Sequence, residues 1–248
     1  MKKSALFAIL LFFVTGTGFS QGSFDRWIID TPTAGLMERG TSAFGIRFSR
    51  GGGMLSEIDI GLFNRFEMGV SYGGMNVIGA GDIDWYPRVE IQAKYRLIDE
   101  NVGFPAIALG YSSQGYGEYS SSLERYAVKS KGFYGVLSKN YALFEGLGLH
   151  AGYAISLEGK EEDEGEPDFF LGATLSFNPD LMIMAEYDLP ISNDSIAESL
   201  DEGNGYFNIG VRVRLMDQIY IEVDLRNLNE NAMDSDRVIM VVYESPLF

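Results

Sequence analysis

The chain contains no cysteine. That excludes a disulfide scaffold, a thiolate metal site, a cysteine nucleophile and a lipid-anchored amino-terminal cysteine. It contains one histidine, His150, which excludes any multi-histidine metal centre. Basic residues are few, with 19 Lys and Arg against 35 Asp and Glu. The formal charge of −16 argues against nucleic-acid binding, which needs a basic face. Long hydrophobic runs are absent beyond the first 14 residues, so nothing later in the chain reaches the roughly 20 apolar residues of a transmembrane helix. What the chain does have is 30 Gly, 17 Phe and 14 Tyr among 248 residues, with a mean hydropathy of zero. Apolar residues are therefore spread along it.

Lys2 and Lys3 precede an apolar run from Ala5 to Val14, followed by the small residues Gly16, Gly18 and Ser20. This is the layout of a secretory signal peptide over 1–20, with cleavage expected before Gln21. The run is too short to serve as a membrane anchor. Residues 21–39 lack any period and are expected to form a periplasmic amino-terminal segment, followed by one domain over 40–248.

From residue 40 the chain alternates. Phe66, Met68, Val70 and Tyr72 bracket Glu67, Gly69 and Ser71, and Phe207, Ile209, Val211, Val213 and Leu215 bracket Asn208, Gly210, Arg212 and Arg214. Successive side chains of a strand point to opposite faces, so each such segment is a strand with one apolar and one polar face. Similar segments recur about twelve times, within a range of ten to fourteen. Arg125–Ser138 is the untidy one, with a bulge expected near Ser130, Lys131 and Gly132. The connections alternate as well. Short turns such as Asn64-Arg65 and Met216-Asp217-Gln218 alternate with mostly longer, more polar stretches such as Asn76–Tyr86, Ser113–Glu124 and Pro190–Gly205. A secreted β-sandwich also alternates. Charges of both signs on the polar faces and aromatic residues near strand ends favour the inside-out form. The expected fold is all-β: an up-and-down antiparallel transmembrane β-barrel of the bacterial outer membrane, with polar faces lining the lumen.

Inward assignment of the polar faces gives a lumen charge network of Glu186, Asp188, Arg212, Arg214, Glu222, Asp224, Arg226, Arg88, Lys94 and Arg96, with Arg47, Asp59, Glu67 and Glu90 also facing inward. Arg212 and Arg214 lie on a strand flanked by one with Glu186 and Asp188 and another with Glu222 and Asp224. An arginine column between two acidic columns is expected, because opposite charges across strands attract. The network either fills and stiffens the interior or forms a charged constriction that selects permeants. Tyr116 and Tyr119, in a Gly- and Tyr-rich loop, are candidates for contact with glycans or partners.

Enzymatic chemistry finds little support. His150 has Gly152 two residues on, where outer-membrane lipases and deacylases carry a serine, and only a distant serine such as Ser130 or Ser176 could serve a lipid-acting site. Glu186 and Asp188 resemble a glycosidase acid pair but have neighbouring arginines to neutralise them. The acidic run Glu158–Asp168 does not follow EF-hand spacing and reads as a solvated loop. No metal and no cofactor are expected.

Several segments resemble a known group. The chain ends in Phe248, like many barrels read by the outer-membrane assembly machinery. Thr31-Pro32-Thr33-Ala34-Gly35, then Arg39-Gly40 and the Gly-rich Arg50–Gly53, look like the start of YjbH-type outer-membrane proteins. Lys129–Phe133 and Pro105–Gly110 are similar to stretches of the same group. The resemblance implies a role in exopolysaccharide production with no catalytic residues. The partners it implies are outer-membrane lipid, the barrel-assembly machinery and polysaccharide or export-complex proteins. A passive channel for small solutes is the alternative function, and a lipid-acting enzyme using His150 is the second.

Overall fold

The computed structural model describes residues 25–159, 167–189, 205–230 and 234–247. The expected signal peptide, most of the acidic run and Phe248 lie outside them. Fifteen strands occur in the described residues: β1 (Thr41–Ser49), β2 (Gly53–Phe63), β3 (Phe66–Met75), β4 (Asp84–Trp85), β5 (Glu90–Ile98), β6 (Ala106–Ser112), β7 (Tyr116–Ser120), β8 (Arg125–Val128), β9 (Gly132–Tyr141), β10 (Gly146–Ile155), β11 (Asp168–Asn178), β12 (Leu181–Leu189), β13 (Tyr206–Met216), β14 (Ile219–Arg226) and β15 (Asp236–Pro246). Twelve of them form one closed antiparallel barrel, in which each strand pairs with the barrel strand before and after it in the chain. The ring closes where β1 pairs with β15, from Thr41 opposite Pro246 to Phe48 opposite Ile239. Closure gives every ring strand a partner on both sides, as hydrocarbon surroundings require.

The alternation sorts side chains as expected. On β13, Asn208, Gly210 and Arg212 face inward and are buried, whereas Phe207 and Val211 are each 39% exposed on the outside. Phe44, Ile58, Met68, Ile91, Leu109, Phe133, Leu149, Leu171, Ile183, Val223 and Ile239 are likewise exposed around the ring. An apolar band of this extent over a polar interior inverts the order of a water-soluble sandwich and marks a transmembrane barrel. No helix among the described residues is long and apolar enough to cross a membrane.

Three strands fall outside the ring. β4 adds two residues to the top of β3. The expected single strand 125–138 is broken in two. β8 pairs with β7 as a separate hairpin, and β9 starts afresh at Gly132. The break has a local cause. Gly132 has φ +57°, and a Cβ there would lie 2.0 Å from the Ile155 carbonyl oxygen, so the chain turns sharply against β10 at a position only glycine fits. The β7–β8 hairpin folds inward at the long-loop end, where the fully buried Tyr126 packs with Leu55 and Tyr86.

The outward face yields a prediction. Val211→Arg places a charge at the middle of β13 on the apolar band and should cost about 2–4 kcal/mol. Urea unfolding in lipid vesicles measures it. An unchanged midpoint would mean that this face meets water.

Candidate functional site: a plugged lumen and its mouth

The segment expected in the periplasm lies, from Asp25 onward, inside the barrel. Its local sequence makes a tight hairpin. Trp27 bridges Pro32, the Ile28 amide donates to the Thr31 carbonyl at 2.9 Å, and the Thr33 amide donates to the Arg26 carbonyl at 3.0 Å. The turn therefore falls at 28–31. Chain direction places this turn toward the long-loop end. Asp30 meets Arg47 and Arg226 near the tops of β1 and β14, whereas the Gly40 amide donates to Gly61 near the short-turn end of β2.

A turn this tight leaves amides without partners inside the segment. Glu186 on β12 takes them. Its carboxylate accepts the amides of Ile29 (3.1 Å), Asp30 (3.0 Å) and Thr31 (3.0 Å), the Thr31 hydroxyl (2.6 Å) and the Asn208 side-chain amide (2.7 Å). Glu186 is 1% exposed. Hydrogen bonds to an ionised acceptor are the strong ones, and a buried carboxylate needs them.

The strands grip the hairpin from all round the barrel. Asp30 bridges Arg47 of β1 and Arg226 of β14, both at 2.6 Å. Arg212 of β13 donates to the carbonyls of Trp27 (3.1 Å) and Ile28 (3.0 Å) and to Glu222 at 2.6 Å. Lys94 of β5 donates to the carbonyls of Arg26 (2.9 Å) and Gly35 (3.0 Å) and pairs with Glu67 at 3.2 Å. Arg96 reaches the Ala34 carbonyl at 2.8 Å. Arg26 pairs with Asp59 of β2 at 3.1 Å, and the Met37 amide donates to Glu67 of β3 at 2.7 Å. Between these polar contacts, Ile28 and Ile29 pack on Met182 and Met184, and Ala34 and Trp27 pack on Tyr134, Val136 and Phe170. Gly172 makes room for the turn, since a Cβ there would lie 2.1 Å from Ile28 Cδ1.

The expected network is thus assembled around the plug as well as from strand to strand. Glu186, Arg212, Arg226, Lys94 and Arg96 all touch the hairpin, and Glu222 holds Arg212. The expected column exists on one side only. Arg212 faces Glu222 in register, but Glu186 lies opposite Asn208. Arg214 leaves the column. It is partly exposed at the short-turn end and donates to the Asp217 carbonyl at 3.2 Å. Asp188 pairs with Lys131. Asp224 is wholly buried beside Gly210, whose added Cβ would come within 2.2 Å of its Oδ1. Arg88 is not in the lumen. It precedes β5, pairs with Glu90 at 2.9 Å and has a half-exposed side chain. Arg26 and Asp30 are partners that the alternation did not reveal, because they lie outside every periodic segment.

His150 does have a serine beside it. Its Nδ1 lies 2.8 Å from Ser138 Oγ, and its Nε2 lies 3.3 Å from Thr174 Oγ1. Ser138 stands directly opposite His150 across β9 and β10, and neither Ser130 nor Ser176 is the neighbour. The Ser138 oxygen also accepts the Ala34 amide of the plug at 2.8 Å. The pair is buried at 0% and 3% exposure, faces inward and lies beneath the hairpin, turned away from the lipid side.

Above the plug lies a cavity of about 300 Å³ at the long-loop mouth, lined in part by Asp30, Tyr116, Ala127, Val128, Asp188 and Arg226. Tyr116 and Tyr119 are not at a solvated tip. The Arg47 and Arg226 guanidiniums lie 4.3 and 5.1 Å from the Tyr116 ring centroid, and Tyr119 packs edge-on to Tyr126 at 5.1 Å. The hairpin is tied down by Glu158, beyond the end of β10, which accepts the amides of Tyr126 (3.3 Å) and Ser130 (3.2 Å). Burial pushes the Glu158 carboxyl up to about 7.

No family model and no curated protein matches the sequence. Among solved structures, the KdgM porin is similar over 82% of this chain and 98% of its own, at 13% identity and a TM-score of 0.53. The KdgM porin in complex with disordered oligogalacturonate is similar over the same shares, at 14% identity and a TM-score of 0.51. The likeness is one of fold: the chain is built as a closed antiparallel outer-membrane β-barrel.

The attachments can be tested one at a time. Glu186→Ala removes several charge-assisted bonds worth about 1.5–3 kcal/mol each before compensation, so the plug should open far more often. The absence of native cysteine makes the readout clean. Maleimide labelling of an Ala34→Cys reporter should accelerate at least tenfold, and an unchanged rate would contradict the assignment. For Glu158, a folded-state value raised above the unfolded one stabilises below the unfolded value, and that stabilisation is lost as pH rises through about 7. The Tyr126 and Ser130 amides, corrected for intrinsic exchange, should therefore lose protection progressively between about pH 4.5 and about pH 7, with no further loss above, in the native protein and not in Glu158→Gln.

Proposed function

We propose that the protein is a non-enzymatic outer-membrane barrel held shut by its own amino-terminal hairpin, with the short turns on the periplasmic side. Its role on this reading is structural or accessory to surface-polysaccharide export. One observation carries it. Inward-facing charges of a water-filled pore stay accessible, but Asp59, Glu67, Lys94, Glu186, Arg212 and Glu222 are all 5% exposed or less with the hairpin among them. The buried setting of His150 and Ser138 supports the non-enzymatic side. The resemblance to YjbH-type proteins supports the polysaccharide side, and Thr31–Gly35, one of its segments, forms part of the plug.

A second reading is a channel for small solutes, favoured by the likeness to the KdgM porin. It requires the hairpin to leave. Twelve strands fall between the roughly eight that side chains fill and the roughly 16 that leave an aqueous channel.

Planar-bilayer recording separates the two. Refolded protein with heat-modifiable mobility should be silent, and the same barrel lacking residues 25–39 should give discrete steps. Steady conductance from the intact protein would overturn the closed reading and promote the channel.

A further inference from the structure

We propose that the cavity at the long-loop mouth is a binding site for a small uncharged molecule of mainly apolar surface, about the size of two fused rings. Its volume of about 300 Å³ is at the lower end of the range that holds small ligands. One wall is apolar, made by Met75 at the end of β3 and by Tyr116, Ala127 and Val128 of the inward hairpin. The floor is the tip of the plug at Asp30.

The charge of the occupant follows from the remaining wall. An ion leaving water for an apolar wall needs a partner of opposite sign. The charged groups buried there are already engaged: Asp30 with Arg226 at 2.6 Å and Asp188 with Lys131. Toward solvent, Arg50 pairs with Asp234 at 2.8 Å, Asp236 lies 3.7 Å from Arg226, and Glu118 is exposed to water. An anion would have to take Arg226 from Asp30, and a cation would have to take Asp188 from Lys131. Tyr116 is committed as well, with Arg47 and Arg226 near its ring. Asp188 Oδ1 and Arg226 Nε lack hydrogen-bond partners, so the cavity offers apolar contact with an acceptor and a donor for a hydroxyl, and no buried charge without a counter-ion. The assignment rests on the hairpin being seated, since its tip at Asp30 is the floor, and bilayer conductance of the same protein tells a failed cavity from an unseated plug.

Three naphthalene probes differing only in charge test it: 1-naphthalenemethanol, 1-naphthoate and 1-naphthylmethylammonium. Each is titrated calorimetrically into the full protein in nanodiscs, with empty nanodiscs as the blank. The alcohol should bind saturably at one site and at least tenfold more tightly than either ion. Ala127→Trp and Val128→Trp, checked for native heat-modifiable mobility, should weaken it at least tenfold. The charge series is read on the unaltered protein, so the test stands even where a tryptophan variant fails to fold. Non-saturable uptake matching the blank, tighter binding of either ion, or full binding by both folded tryptophan variants would overturn the proposal.

Discussion

The Glu186 carboxylate, wrapped by the amides of a hairpin turn, is the contact on which the interior depends. It sits in the wall of the barrel with no cation among the described residues in ion-pair contact, and a buried carboxylate left so would be costly. The turn at 28–31 has the converse problem, with three amides pointing away from its own carbonyls. Each solves the other. Once the turn is seated there, Asp30 falls between Arg47 and Arg226, and the carbonyls of Trp27 and Ile28 fall on Arg212.

A polar lumen can be satisfied by water or by protein. A small barrel fills itself with its own side chains, and a large one stays wet. Here the wall side chains alone do not span the space, and a backbone hairpin supplies the missing donors and acceptors. Glycines admit it. Gly172 and Gly61 face the plug where a side chain would collide, with Ile28 in one case and the Glu38 carbonyl in the other. The result is a lumen most of whose ions are paired or hydrogen-bonded to backbone, an arrangement that stiffens the barrel and leaves the long-loop mouth as its accessible recess.

The barrel was legible in the sequence because its two faces meet opposite solvents. Hydrocarbon outside and polar partners inside impose a period of two that survives in the ring strands, so that the alternating segments Phe66–Tyr72 and Phe207–Leu215 fall within β3 and β13. The plug was not legible. Residues 25–39 are buried by charged side chains from distant strands, so their sequence shows no period, and Arg26 and Asp30 look like solvated charges. The break in 125–138 was half visible, since Ser130-Lys131-Gly132 disturbs the alternation, but the inward fold of β7–β8 depends on packing of Tyr126 that no local pattern announces. Ser138 beside His150 follows from strand register alone.

The central claim is that the amino-terminal hairpin occupies the barrel interior in the membrane. A cysteine-free chain allows a direct test with Ala34→Cys and Ser138→Cys together: the Ala34 backbone amide donates to Ser138 Oγ at 2.8 Å, which holds the two Cα atoms within the roughly 7 Å that a disulfide can span. Mild oxidation of the refolded double variant should yield an intramolecular disulfide, seen by mass spectrometry of the proteolysed protein. Two free thiols, with the one introduced at position 34 labelling as fast as a surface residue, would contradict the plugged lumen.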